Sequence, residues 1–590
     1  MLQSKYSSLL KLLWQHITHH RRVQLGMLFI LLVIASFSEI FTIGAVLPFL
    51  GVIADPEQVF NNTELKPFIQ LLGLTEAGQL LFPVTILFIV AALFSGVMRL
   101  LFLWASVRLN FAIGTDLSRD LYRRTLYQPY EVQINRNTSE IISVITEKVH
   151  HVIYDTTYPI ITLFSSGIMF LFIVLVLVIV DPIIAASSLL VVGLIYSLVI
   201  RLTRDRLLYN GKVISQVSPK VVKYVQESIG GIRDVIIDNN QDACIKEFHH
   251  ADRRKRYVEG NSVFIRHAPR FGIESIGISL IAVVAFYLVQ KSDSNIVIVF
   301  PTLGALAIGA QRLLPIVQAA YSSWSQLQAS KASLVDVLEY LNQHIQSNIC
   351  QLGVNPLAFN RDIVLNGISY TYLPKFHLVL NNVKLTIEKG DRIGIIGETG
   401  SGKSTLLDII MGLLQPSEGK IEIDGISIDS SNVCNWRKNI AHVPQSIFLA
   451  DGSIIENIAI GIPSEKIDQS RVRQAAKLAH ISSTIENLDN QYDTVIGENG
   501  IRLSGGQRQR IGIARALYKK ADIIVFDEAT SALDNETETK VMEAINGLSN
   551  DLTVIIISHR LTTLRNCTKI FELDEGKISC ERSYQEIVED

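Results

Sequence analysis

The run Met169–Val180, MFLFIVLVLVIV, is apolar on every side of any helix it forms. A helix apolar all round is buried in a large core or spans a membrane. It belongs to one of six long apolar stretches in the first 330 residues: Val23–Ala54, Leu80–Ala105, Ile160–Val180, Ile183–Ile200, Phe271–Val289 and Ile296–Trp324. Each meets or approaches the roughly 20 residues that a bilayer core requires. Six such stretches in one half of a chain favour a membrane over a soluble helical core. Composition agrees, with 48% hydrophobic and only 19% charged residues in 590, against a globular norm of about 25% charged. The net charge of −2 carries no global basic signal for nucleic acid. Five cysteines without a CxxC or Cys/His cluster argue against structural zinc and a disulfide framework.

Basic residues orient the stretches. Residues 1–22 carry Lys5, Lys11, Arg21 and Arg22; residues 106–152 carry Arg108, Arg119, Arg123, Arg124, Arg136 and Lys148; residues 201–270 include the run Arg253–Arg256. The segments 55–79 and 290–295 carry few. The positive-inside rule then puts both termini and both long loops in the cytoplasm. All five cysteines fall on that side, where thiols are reduced. The two loops run roughly 45 and 70 residues, too long to be unstructured in a compact protein. They are expected to continue the membrane helices as arms, with tips over Asn137–Val149 and Gln226–Asp238. Residues 1–21 read as an interfacial helix, with His16, His19 and His20 on its solvated face. The external segment Asn62–Leu74 reads as amphipathic. The first apolar stretch is too long for a cleavable signal. The expected organisation is an all-α transmembrane domain over 22–330, a linker over 331–361 and an α/β nucleotide-binding domain over 362–590.

The second half carries the chemistry. A strand pattern, Arg392–Ile396, runs into Gly397-Glu398-Thr399-Gly400-Ser401-Gly402-Lys403-Ser404-Thr405 and then a helix pattern. That is G-x-x-x-x-G-K-[ST] in its strand–loop–helix context. The glycines let backbone N–H groups close on phosphate oxygens, and the helix N-terminus adds a positive dipole. Lys403 is placed to reach β/γ-phosphates and Ser404 to ligate Mg²⁺. The apolar strand Ile523–Phe526 ends in Asp527-Glu528. Asp527 suits a second Mg²⁺ contact, and Glu528 suits polarising a water for in-line attack. Between these lies Leu503-Ser504-Gly505-Gly506-Gln507 before another helix pattern, a second anion site. Two phosphate-binding surfaces in one nucleotide domain suggest that they face each other across a dimer.

With these motifs in order, the C-terminal half resembles an ABC-transporter nucleotide-binding domain, whose signature is LSGGQ. The whole chain resembles an ABC exporter half-transporter with six membrane helices and one P-loop ABC domain. The resemblance implies ATP and Mg²⁺ as cofactors. It implies roles for Tyr372 (adenine stacking, with Tyr370 as rival), Gln445 (Mg²⁺ sensing), Glu498 (the short acidic loop before the signature), Asp534 (D-loop) and His559 (γ-phosphate contact). No motif is degenerate, so two identical sites in a C₂ homodimer are expected, with a heterodimer open. The implied mechanism is alternating access driven by ATP hydrolysis. An importer is disfavoured because its domains usually lie on separate chains. A nuclease-repair ATPase does not fit six spans.

Ionisable residues inside apolar helices cost roughly 2.5–3.5 kcal/mol each on insertion scales, so Arg99, Arg270 and Arg312 need partners. They line a cavity for an anionic substrate, or Arg99 and Arg312 pair with Glu39 and Glu274. Guanidinium groups suit phosphate through bidentate bonds. The first-helix sequence Ser38–Leu50 is similar to that of bacterial flippases for polyprenyl-diphosphate-linked oligosaccharides. The expected substrate is therefore a phosphate-bearing lipid-linked glycan moved across a bacterial inner membrane. The alternatives are another amphiphile (a lipid A-like or other glycolipid, a peptide or a drug), or an ATP-gated membrane protein that does not transport.

Overall fold

The computed structural model describes residues 6–54, 56–60, 75–180, 182–291, 296–345, 355–372, 378–529, 533–547, 551–558 and 560–589. The amphipathic segment expected at Asn62–Leu74 lies outside them. The chain divides into two compact units. One is Met1–Leu126 with Arg136–His344, and the other is Tyr127–Asn135 with Ile345–Asp590.

The first unit is helical. Helix α1 (Tyr6–His16) buries Leu9 and Leu13 in a core that also holds Leu117, Leu121, Leu334 and Leu338. The long helices follow: α2 (His19–Ala54), α3 (Leu81–Leu126), α4 (Tyr158–Val180), α5 (Pro182–Gly230), α6 (Gln241–Lys291) and α7 (Ile296–Leu341). Among the described residues, three helical stretches are long and apolar enough to cross a membrane: His19–Ile53, Ala77–Leu126 and Thr138–Leu175. The apolar half of α3 turns its side chains outward, with Phe82 at 74% and Leu100 at 66% exposure. A surface of that kind needs lipid to cover it. Helices α3, α5, α6 and α7 are 46 to 51 residues long. That is roughly 70–75 Å at 1.5 Å per residue, more than twice a bilayer core of about 30 Å.

Two expected boundaries are corrected. Helix α3 ends before Pro129, and a short helix Tyr130–Ile134 follows. Asn137 then caps the next helix, its side chain accepting from the Ser139 N–H at 3.0 Å. The arm therefore turns ahead of Asn137–Val149, because proline stops a helix and asparagine starts one. The second arm turns around the short helix Ile232–Ile237. At the other boundary, α7 continues past 330 to Leu341, with Leu334, Leu338 and Leu341 fully buried. The segment 331–341 is part of the helical core, and its apolar spacing holds it there.

From Thr138 to α4 the chain stays helical but contains two π turns, Val144–Lys148 and Ile153–Thr157. The Ile153 carbonyl accepts from the Tyr158 N–H five residues on, and also from Asn110 Nδ2 at 3.2 Å. Ion pairs fasten this stretch to its neighbours. Lys148 Nζ donates to Asp336 of α7 at 2.5 Å, and Lys255 of α6 and Ser218 of α5 donate to Glu147.

The second unit contains two sheets. The antiparallel one has order β2 (Leu380–Glu388), β1 (Asp362–Tyr370), β4 (Glu418–Ile423), β5 (Ile426–Ser427). The other has order β10 (Lys577–Arg582), β9 (Lys569–Asp574), β3 (Arg392–Ile396), β8 (Thr553–Ile557), β7 (Ile523–Asp527), β6 (Ile440–Val443). Its strands run parallel except for the edge strand β10. The runs RIGII, IIVFD and TVIII are near-continuously apolar, as strands covered on both faces must be. Ile395 and Asp527 both pair with Ile557, so the carboxyl ends of β3, β8 and β7 lie side by side. Ligands of open α/β sheets bind at such ends.

Cys434 is disulfide-bonded, against the expectation of five reduced thiols. That expectation rested on compartment alone. Cys244, Cys567 and Cys580 are free, and Cys350 lies outside the described residues.

Candidate nucleotide site

The phosphate loop joins β3 to helix α8 (Lys403–Ile410), with Gly402 as N-cap. Gly397 has φ +146°, and a Cβ there would come within 2.1 Å of the Leu573 carbonyl oxygen. Only glycine fits this first bend. Lys403 is nearly buried, and its Nζ donates to the Gly397 and Glu398 carbonyls at 2.7 and 2.8 Å. The loop is thus curled around its own lysine. The Ser401 hydroxyl is buried and, among the described residues, has no hydrogen-bond partner. A buried orphan hydroxyl is costly, and a phosphate oxygen would satisfy it. The residues present therefore fit a nucleotide phosphate chain.

Strand β7 delivers Asp527 and Glu528 beside this loop. Burial, then the neighbouring Glu528 charge, pushes the Asp527 carboxyl above the usual carboxylate range, and Lys403 opposes the rise. A cation at this point would relieve that penalty, as Mg²⁺ would. Glu528 has φ +49°, an uncommon conformation for a residue other than glycine. Its N–H donates to the Ile557 carbonyl at 3.0 Å, which ties it to the end of β8. Gln445, just beyond β6, donates from Nε2 to Glu528 Oε2 at 2.6 Å. His559 lies outside the described residues, two positions after the end of β8. Ser404 and Thr405 open α8, and Thr405 Oγ1 lies 3.0 Å from the Tyr372 hydroxyl. Tyr370 is 1% exposed in the core, whereas Tyr372 is half-buried beside the loop. That geometry favours Tyr372 over its rival as a surface for a base.

The segment Ser504-Gly505-Gly506-Gln507 heads helix α9 (Gly505–Lys519) in a capping box. Ser504 Oγ accepts from the Gln507 N–H at 3.2 Å, and Gln507 Oε1 accepts from the Ser504 N–H at 2.8 Å. Among the described residues, no hydrogen bond or ion pair links these four to the phosphate loop. Asp534 caps helix α10 (Asn535–Asn546) through the Thr537 N–H, and the Thr537 side chain, then that N–H, lower its carboxyl. Glu498 is exposed at the start of a single 3₁₀ turn, Glu498–Gly500.

Two features escaped sequence reasoning. Asp408, one turn beyond Ser404 on α8, is held up to about 6 by burial and then by Asp527. Its spacing from Ser404 was the available signal. The excursion Tyr127–Asn135 belongs to the nucleotide unit. There Tyr130 lies close enough to Asp408 and Tyr372 for both to add to the burial that raises its hydroxyl. Nothing in the local sequence marks that packing. A carboxyl with a raised native value costs the fold stability as pH rises through it. Asp408→Asn mimics the neutral form. Its thermal midpoint relative to wild type is therefore expected to climb as pH rises from the ordinary value of 3.8 to about 6 and to level off above that, measured by melting curves across that range. A constant offset would show that Asp408 does not titrate there.

In the membrane unit, Arg99 Nη1 pairs with Glu39 Oε1 at 3.1 Å, with side-chain exposures of 55% and 4%. Arg270 pairs with Glu274 one turn on, at 2.8 Å. Glu274 therefore pairs with Arg270, not with Arg312 as expected for a structural pair, and the Arg312 side chain lies outside the described residues.

Comparison with known proteins agrees with this architecture. Residues 25–311 match the family model described as ABC transporter transmembrane region, and residues 380–531 match the one described as ABC transporter. The ATP-dependent lipid A-core flippase of Saccharophagus degradans is 31% identical over 88% of both chains. That of Pseudoalteromonas translucida is 28% identical over 78% of this chain and 79% of its own. The alpha-hemolysin translocation ATP-binding protein HlyB of Proteus vulgaris is 38% identical, but over 48% of this chain and 39% of its own. A bacterial Atm1-family ABC exporter solved with ATP bound superposes with a TM-score of 0.77 at 21% identity, covering 96% of this chain and 97% of that one. The apolar helices, the phosphate loop with its acidic strand end and these relatives make the chain an integral membrane transport ATPase that binds ATP, and it belongs to the ABC transporter family.

Proposed function

We propose that two copies of this chain form an ATP-driven flippase for a phosphate-bearing glycolipid, with the termini and nucleotide domains cytoplasmic in a bacterial inner membrane. The reading is supported by the ordered nucleotide-site motifs of the sequence together with a relative named as an ATP-dependent lipid A-core flippase that matches over 88% of both chains. Relatives that translocate toxins match less than half of this chain. A lipid A-core-like glycan is the leading substrate, and a polyprenyl-diphosphate-linked glycan shares its phosphate and its apolar tail.

In this reading Lys403, whose Nζ donates to the Gly397 and Glu398 carbonyls, would reach the β- and γ-phosphates, and Ser401 and the loop N–H groups would wrap them. Ser404, Gln445 and Asp527 would hold Mg²⁺, which would supply charge neutralisation on the transferred phosphoryl. Glu528 orients and polarises the attacking water, and His559 contacts the γ-phosphate. Tyr372 stacks on adenine. Ser504 to Gln507 and Asp534 of one copy face the phosphate loop of the other. Closure of the paired domains draws the helical arms together, and product release lets them part. The bound nucleotide shifts the equilibrium only through its better fit to the closed state.

Arg99 fits substrate recognition as well as its ion pair. Glu39 engages one of its five donors, and the half-exposed remainder can take a phosphate.

Two experiments address this reading. Tyr372→Ala should raise KM for ATP about tenfold, since base–aromatic stacking contributes about 1–3 kcal/mol, while Tyr372→Phe should stay near wild type. Unchanged KM in the alanine variant would remove Tyr372 from the site. In nanodiscs, a phosphorylated glycolipid should stimulate ATP hydrolysis and its dephosphorylated form should not. Equal stimulation by both would refute phosphate recognition.

A further inference from the structure

Helices α2 and α3 pass from polar to apolar at the same level, and a groove of about 390 Å³ lies between them there. Arg21, Gln24 and Arg108 line one end, and Met27, Leu31 and Trp104 the other. Seven residues separate Gln24 from Leu31, roughly 10 Å along a helix, which is the depth from a phospholipid headgroup into its first acyl carbons. Arg21 is committed, donating from Nε to Asp116 and from Nη1 to Gln24, both at 2.9 Å. Arg108 is exposed, and among the described residues it makes no hydrogen bond or ion pair. Trp104 and Met27 are 62% and 63% exposed. Tryptophan gathers at membrane–water interfaces, and basic pockets between membrane helices bind anionic headgroups.

We propose that this groove holds one anionic phospholipid of the surrounding bilayer. Its phosphodiester rests on the Arg108 guanidinium, and its upper acyl chain lies along Met27, Leu31 and Trp104. Charge complementarity selects this occupant, because a free guanidinium at the rim of an apolar slot matches a lipid with a net negative head. The proposal uses none of the residues assigned to the transported substrate, so its test does not depend on the substrate reading.

The test uses the full chain in detergent micelles. Phosphatidylglycerol and phosphatidylcholine of matched acyl chains are titrated, and bound lipids are counted by native mass spectrometry. The first phosphatidylglycerol should bind about tenfold more tightly than phosphatidylcholine, whose quaternary ammonium offsets the phosphodiester charge that both lipids carry. Arg108→Ala should erase that preference and Arg108→Lys keep part of it. Arg204→Ala, an exposed arginine elsewhere, should leave it intact. Equal binding of the two lipids, or an undiminished preference in Arg108→Ala, overturns the proposal. So does a dimer whose second copy seals the groove, which would give no bound excess of phosphatidylglycerol.

Discussion

Glu528→Gln should lower ATP turnover by about 10²–10⁴-fold, the typical contribution of a positioned general base, and leave ATP binding intact. The substitution keeps the shape of the side chain and removes the charge that polarises water. Glu528 is held by its backbone. Its N–H is bonded to the Ile557 carbonyl, and its φ is +49°. Neither depends on the carboxylate. The Gln445 amide donates to one carboxylate oxygen, and a glutamine at 528 still offers its carbonyl oxygen to that donor. The loop should therefore stay in place. Steady-state phosphate release and equilibrium nucleotide binding, measured on the same preparation, separate the two effects. Retained turnover would mean that another group activates the water. Lost binding would mean that the carboxylate maintains the loop.

The second large effect is in the membrane. Arg99→Ala removes the ion-pair partner of Glu39, a carboxylate only 4% exposed. Arg99 is half-exposed and Glu39 keeps a further contact, so the loss should fall below the roughly 3–5 kcal/mol of breaking a fully buried pair. The thermal midpoint of the solubilised chain should fall accordingly. Arg99→Ala combined with Glu39→Gln should recover most of it, since the desolvated charge is gone. Flipping of a phosphorylated lipid should stay lost in the double variant if the exposed face of Arg99 binds phosphate. Recovery of stability and flipping together would assign Arg99 a purely structural role.

The phosphate loop and the acidic strand end were legible because each chemistry needs fixed residue types at fixed spacing. The apolar runs were legible because lipid tolerates little else. Helix ends were harder. A tip at Asn137–Val149 was inferred from loop length, whereas Pro129 and the Asn137 cap decide where the arm turns. The stripe Leu334, Leu338, Leu341 was readable as helix, but an expected linker over 331–361 concealed it. The π turns at Val144–Lys148 and Ile153–Thr157 were not readable. They depend on tertiary partners such as Asn110 on another helix. The same holds for the Gln445–Glu528 bond across 83 positions and for Tyr130 beside Asp408. Motif order implies which groups share a site, but not the hydrogen bonds they exchange with one another.

The most direct test is flipping in sealed proteoliposomes containing a fluorescent phosphorylated glycolipid, with ATP and Mg²⁺, followed by quenching of the exposed leaflet. Wild type should move label between leaflets in the presence of ATP, and Glu528→Gln should not. ATP hydrolysis without movement of any phosphorylated glycolipid would leave the transport ATPase in place and contradict the flippase assignment.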